Sequence, residues 1–360
     1  MVKMVNCQMV KWCMVLLTTM LLSCSTPKPR LAGEQLLEQL TQYAASEQLL
    51  FGQQDATLYG HGWIGEAGRC DCKEVCGDYP AIIGFDLGHI ETGDSVNLDG
   101  VSFGAISKAM EEHHARGGII TVSWHPRHML TGGSSWEVTD EAMMDSLLYS
   151  EAGQAALDTA LTRVGQFLAA QDAPILFRPW HEMNGTWFWW GATGCTPKQY
   201  IALYQHTHEV LNSIVGKDKL VWAFSPNLGV NDSIYMAYYP GDAYVDLLGY
   251  DCYHFVHETD SAFQAHLRDG LEVMRRVSEQ TGKPIALTET GLESVQRPQW
   301  WTETLLPVLE DYPLAYVLVW RNAYDQPAHY YVPFAGDTSA EDFKAFYDSE
   351  KTVFLPKVKL

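Results

Sequence analysis

The sequence predicts an α/β protein built as a single (β/α)8 TIM barrel. Three observations carry this. Eight apolar, strand-like runs alternate with helical stretches. Each run begins apolar and ends polar, as expected of parallel strands buried on both faces with chemistry at their C-terminal ends. The chain has 360 residues, more than one average domain but suited to one such barrel.

The runs are Leu49–Asp55, Ala81–His89, Gly118–Pro126, Ala173–Glu182, Leu220–Asn227, Val245–Tyr253, Pro284–Gly291 and Leu314–Asn322. Between the third and fourth, residues 152–171 place Ala156, Leu157, Ala160, Leu161, Val164, Phe167 and Leu168 at helical spacing. Residues 198–215 and 262–281 behave likewise, and Thr281-Gly282-Lys283-Pro284 reads as a helix stop before a strand. There is no internal repeat, no low-complexity stretch and no second-domain boundary.

The N-terminus reads as a targeting segment. Lys3 and Lys11 precede a short apolar run, residues 14–22, too short to span a bilayer. Leu21-Leu22-Ser23-Cys24 resembles a bacterial lipobox, which implies cleavage before Cys24 and acylation of that cysteine. The expected organisation is a signal peptide over 1–23, an acylated Cys24 with a tether to residue 35 carrying Pro27 and Pro29, and a catalytic domain over 36–360. Membrane contact would be through the lipid alone, with the protein exported to the bacterial envelope, on its periplasmic side. Lys and Arg number 24 against 44 Asp and Glu, a formal charge of −20. That excludes nucleic acid and anionic membrane surfaces as partners and fits a monomer acting on a neutral polymer.

Of eight cysteines, five lie beyond Cys24: Cys70, Cys72, Cys76, Cys195 and Cys252. The odd number leaves at least one free thiol in a monomer. A disulfide through Cys70 or Cys72 fits an oxidising compartment. Cys70-x-Cys72-x3-Cys76 has no partner pair with good metal spacing, so no metal is expected.

Polar and aromatic residues gather at the ends of the runs: Trp124-His125-Pro126 and then Trp136, His181-Glu182, Tyr250-Asp251-Cys252-Tyr253, Glu289, and Trp320-Arg321-Asn322. Four tryptophans lie between positions 180 and 190. Indole walls with a rim of polar groups suit sugar rings, and a partly desolvated carboxyl such as Glu182 is suited to holding a proton near neutrality. A hydrophobic loop folded onto its own barrel also accounts for the tryptophans. Glu182 and Glu289, at the tips of the fourth and seventh runs, are a pair of carboxylates that can face each other across a barrel mouth. Such a pair is what a retaining glycosidase requires. The residues alone do not order their roles.

The segment Arg178-Pro179-Trp180-His181-Glu182-Met183-Asn184-Gly185-Thr186-Trp187-Phe188-Trp189-Trp190-Gly191 resembles the acid/base signature of glycoside hydrolase family 26, the β-mannanase family. The resemblance covers nearly all of residues 50–325, through Lys73–Pro80 and Asp86–Glu91 as well. It implies Glu182 as acid/base and Glu289 as nucleophile. It also implies substrate contacts from His125, Trp136, His181, Trp187, Tyr253 (with Tyr250 as a nearby rival), Trp320 and Arg321. The implied activity is retaining hydrolysis of β-1,4-mannan, glucomannan or manno-oligosaccharides without a cofactor, either internally or by release of mannobiose from chain ends. Alternatives are mixed-linkage β-glucan or β-1,3-xylan as substrate, or a carbohydrate-binding barrel without turnover. The chain departs from the family pattern at Cys70, Cys72 and Arg127-His128. Extra bulk at the last pair would narrow the glycone side.

Overall fold

Eight parallel strands close on themselves in the computed structural model, which describes residues 32–227, 229, 231–355 and 358. They are β1 (Leu49–Gln54), β2 (Ile82–Asp86), β3 (Ile119–Trp124), β4 (Ile175–Pro179), β5 (Leu220–Phe224), β6 (Leu247–His254), β7 (Ile285–Leu292) and β8 (Leu314–Val319). Each pairs with its sequence neighbour, and β8 returns to β1 with Leu50 opposite Tyr316 and Gln53 opposite Val319. A short strand, Thr352–Val353, adds to the outer start of β1. All eight predicted runs hold a barrel strand; six are trimmed where the chain leaves the ladder, while β6 and β7 start later but run one residue further, to His254 and Leu292. This is the predicted (β/α)8 barrel.

The lumen and the outer layer are two separate cores. Leu50, Ile82, Leu176, Val221, Leu247, Ala286 and Leu318 point inward and pack with Leu36, Leu40 and Tyr43 of helix Ala32–Ala44. That helix lies in the lumen's own cluster and stops the N-terminal end, so only the C-terminal mouth stays open. It starts inside the stretch 24–35 expected to be tether. Burying Leu36 and Leu40 needs a full helical turn ahead of them, and the Gly33 amide is pinned to the Asp218 carbonyl at 2.7 Å. The outer core lies between the opposite strand faces and helices such as Glu151–Ala169, Pro197–Val215 and Asp260–Thr281. Each of these three is capped by a hydroxyl, from Ser150, Thr196 and Thr259, which accepts an otherwise orphaned amide. No described helix is long and apolar enough to cross a membrane. Cys24 and the signal segment lie outside the described residues.

Strand parity decides what reaches the mouth. On β6, Leu247, Asp251 and Tyr253 point inward, while Leu248, Cys252 and His254 join the outer core. Tyr250 goes outward too, its hydroxyl donating to the His266 carbonyl at 3.3 Å. The five cysteines are free thiols; Cys72 Sγ lies 3.8 Å from Cys76 Sγ as a contact, not a bond.

Candidate active site

Glu182 follows β4 in a left-handed backbone conformation, φ 56°, and Trp180 has φ 52°. Such angles are uncommon for residues with a Cβ, and clusters of them favour functional turns. The turn carries Glu182 over the mouth, where it is 7 % exposed. Its carboxyl accepts from Trp187 Nε1 at 2.8 Å and from Asn227 Nδ2 beyond β5. Asn227 is itself aligned by Asn184, whose Oδ1 takes its amide at 2.7 Å. Burial, then the negative charge of Glu289, push the Glu182 carboxyl up to about 7, against the pull of Trp187, Asn227 and Arg178.

Glu289 on β7 accepts from the Tyr253 hydroxyl at 2.8 Å and from Arg178 Nη2. Arg178 rises from β4 inside the lumen, 3 % exposed, and also bonds Asp251 Oδ2 at 2.9 Å and Ser225 Oγ at 3.1 Å. Asp251 takes Thr288 Oγ1 at 2.5 Å on its other oxygen. One carboxylate oxygen from each of Glu182, Asp251 and Glu289 lies within 4.8 Å of the other two. It is the only cluster of three such groups with metal-ligand spacing among the described residues. The Arg178 guanidinium already engages two of its members, so part of the local negative charge is offset by a cation the chain supplies itself.

A chain of hydrogen bonds stands beside Glu182. Asp86, at the end of β2, accepts from Ser123 Oγ at 2.7 Å and from the Gly88 amide at 2.7 Å, and bonds His125 Nδ1 at 2.6 Å. His125 Nε2 then meets His181 Nε2 at 3.0 Å. Burial lowers the proton affinity of His125, but Asp86 outweighs it and the net shift is upward. His181 moves well down, through burial and then the charges of Arg178 and His125. The pair therefore reads as His125 donating to a neutral His181, whose buried Nδ1 has no partner among the described residues.

The tryptophans divide. Trp180, Trp189 and Trp190 are fully buried. Each indole N–H is satisfied inside, at Thr207 Oγ1, the Pro126 carbonyl and the His181 carbonyl. They support the mouth and cannot stack on a ligand, so of the two readings of the cluster the packed loop holds for these three, and only Trp187 stays half-exposed. Trp136 is 62 % exposed and leans on Phe188, ring centroids 5.0 Å apart. Trp320 is half-buried, 6.0 Å from the His125 ring. Arg321 bonds Asp99 at 3.2 Å and lies over the Tyr59 ring. His128 is no rim residue: it is buried 4.9 Å from the Trp189 ring and adds no bulk to the cleft.

All seven expected substrate-binding residues and both glutamates thus sit at the C-terminal mouth. Sequence reasoning gave no role to Arg178, Asp251, Asn227, Asp86 or Asp99. For the first four the signal was a charge or amide set into or just after an apolar strand run, since such a group needs a buried partner; Asp99, in the loop after β2, carried no such signal.

Comparison with known proteins identifies relatives of the chain. Residues 25–287 match the model of glycosyl hydrolase family 26. The chain belongs to that family. This family 26 chain is 33 % identical over 338 residues to a mannan endo-1,4-beta-mannosidase from Bifidobacterium adolescentis, covering 86 % of the chain and 33 % of the relative. It therefore spans about a third of that larger protein. A mannan endo-1,4-beta-mannosidase from Bacillus subtilis is 28 % identical over 73 % of the chain and 72 % of its own length. The solved structure of a family 26 β-mannanase from Bacteroides ovatus superposes with a TM-score of 0.87 at 42 % identity, covering 91 % of this chain and 97 % of that one.

Proposed function

We propose that this chain is a retaining β-1,4-mannan hydrolase. The observation that carries the reading is the approach of the Glu182 and Glu289 carboxylate oxygens to within 4.8 Å across the mouth. Retaining glycosidases hold their carboxyl groups about 5–5.5 Å apart, whereas inverting ones need about 6.5–9.5 Å to admit a water. The environments support the division of roles. Glu182 is pushed up to about 7 and so keeps a proton to give. Glu289 has the Arg178 guanidinium as counter-charge and the Tyr253 hydroxyl to orient it. In the first step a Glu289 oxygen attacks the anomeric carbon. The glycosidic C–O bond breaks, and the Glu182 proton passes to the departing oxygen. In the second, Glu182 takes a proton from water, whose oxygen displaces Glu289 from the same carbon. No metal or organic cofactor takes part in either step.

Mannan as substrate rests on the printed activities of the relatives. Incubation with mannan, glucomannan, lichenan and β-1,3-xylan tests it, with early products read by proton NMR. Release of β-configured products from the mannans supports the reading; inert mannan or α-configured products would overturn it. On cleavage mode, a specific observation favours short products. The β8 loop is tied to the β2 loop over the top of β1 by Arg321–Asp99, 3.2 Å, and by Tyr324 Oη to the Asp99 carbonyl, 3.4 Å. Such a bridge would stop the glycone side after few sugars and lead to mannobiose release. Early mannotriose and mannotetraose from end-labelled mannohexaose would refute this. Export and lipid attachment at Cys24 are proposed on the lipobox alone; a Cys24→Ser variant that stays in the membrane fraction would end that proposal.

A further inference from the structure

The turn after β6 combines two features that rarely coincide. Its base is firmly held. His254 accepts from Trp300 Nε1 at 3.0 Å, donates to the Glu258 carbonyl at 3.1 Å and stacks on Phe263 with ring centroids 4.6 Å apart. Arg297 donates to the Glu258 carbonyl and to Asp260, and the Glu258 amide closes the turn on the Phe255 carbonyl at 2.9 Å. Yet its tip is apolar and open: Phe255 is 50 % exposed and Val256 46 %. The His257 ring stacks against Phe255, 15° between planes and 6.0 Å between centroids. An anchored turn that presents adjacent apolar side chains to water marks a binding surface more than a packing accident.

Its position says what binds. Tyr253, two residues before Phe255, points into the mouth and bonds Glu289. Glu182 has to protonate the leaving oxygen, so the leaving chain lies on its side of the carboxylate pair, over β4 to β6. The opposite rim, over β8, β1 and β2, carries Arg321 and Asp99. Phe255 thus stands on the rim along which the departing sugars run.

We propose that Phe255, flanked by Val256 and His257, is a stacking platform for a mannosyl unit of the leaving chain beyond the first sugar after the scissile bond. The proposal rests on the mannan reading above. The ring offers a face that a pyranose can cover with its apolar C–H side.

The test compares two substrates in wild type, Phe255→Ala and Phe255→Trp. Mannohexaose extends over the platform; an aryl β-mannobioside has a leaving group that ends before it. Covering a half-exposed aromatic ring is worth about a three- to tenfold change. Phe255→Ala should lower kcat/KM on mannohexaose by that factor, chiefly through KM, and leave the aryl substrate unchanged. Phe255→Trp should restore the hexaose rate. Equal losses on both substrates, or no loss on mannohexaose, would overturn the platform. A wild-type enzyme inert on both would instead overturn the mannan reading, and the platform with it. Thermal melting of the variants checks that the half-exposed side chain was removed without unfolding.

Discussion

The Glu182 carboxyl destabilises the folded protein at the pH where its chemistry is needed, and the size of that effect follows from its surroundings. Burial and the Glu289 charge raise it from 4.5 to about 7. Below pH 4.5 it is neutral in both the folded and unfolded chain and contributes no pH-dependent term. Between these values the folded chain holds a proton that the unfolded chain releases, so stability falls as pH rises. Above about 7 the full penalty is present, and from pH 5 to pH 8 it grows by roughly 2–3 kcal/mol. Glu182→Gln removes the titration. The amide also disturbs the bonds to Trp187 and Asn227, but that cost is the same at both pH values and cancels in the difference. For a chain of this length that growth in the penalty corresponds to about 4 °C in Tm.

Differential scanning calorimetry of wild type and Glu182→Gln at pH 5 and pH 8, at matched ionic strength, measures it. The variant should gain about 4 °C more, relative to wild type, at pH 8 than at pH 5. Mannan hydrolysis by wild type should decline on the alkaline side with an apparent pKa near 7 as the acid loses its proton. An equal difference in Tm at both pH values would refute the argument that Glu182 is held protonated by its site.

Glu289→Ala should abolish mannan turnover, and azide should restore slow cleavage with inverted glycosyl azide as product, detected by NMR; near wild-type hydrolysis would remove Glu289 from the nucleophile role. Asp86→Asn weakens a charge-assisted bond to His125, so kcat/KM should fall roughly 10- to 100-fold. The alkaline limb, set by Glu182, should stay near pH 7; an unchanged kcat/KM would remove Asp86 from the positioning of His125.

The barrel was legible because its strands are buried on both faces. Apolar runs such as Leu220–Phe224 and Leu314–Val319 have few other readings at that length. The two glutamates were legible because each ends such a run. Depth was not. Trp180, Trp189 and Trp187 look alike in a string of letters, and only the turn of the chain after β4 sends two of them into the core and leaves one at the mouth. The same holds for Arg178 and Asp251. Their partnership joins β4 to β6 across the lumen, a contact between residues 73 positions apart that no local pattern encodes. Tyr253 over Tyr250 was decidable in principle, since Asp251 and Tyr253 share a face at the period of a strand and Tyr250 does not.

That the pair differs although both members are glutamates bears on how one site can run two proton transfers in opposite directions. Glu182 meets only neutral donors, an indole and an amide, whereas Glu289 meets a guanidinium. After burial, the largest influence raising Glu182 is the charge on Glu289. On the proposed roles that charge disappears when Glu289 forms the glycosyl ester. The proton affinity of Glu182 then drops just after it has given its proton away. It is left as a carboxylate in the step where it must activate water. When the ester is cleaved the Glu289 charge returns and draws the proton taken from water firmly onto Glu182. The close spacing of the two groups therefore does more than set the stereochemistry. It couples the charge of the nucleophile to the proton of the acid, so each half-reaction prepares Glu182 for the next.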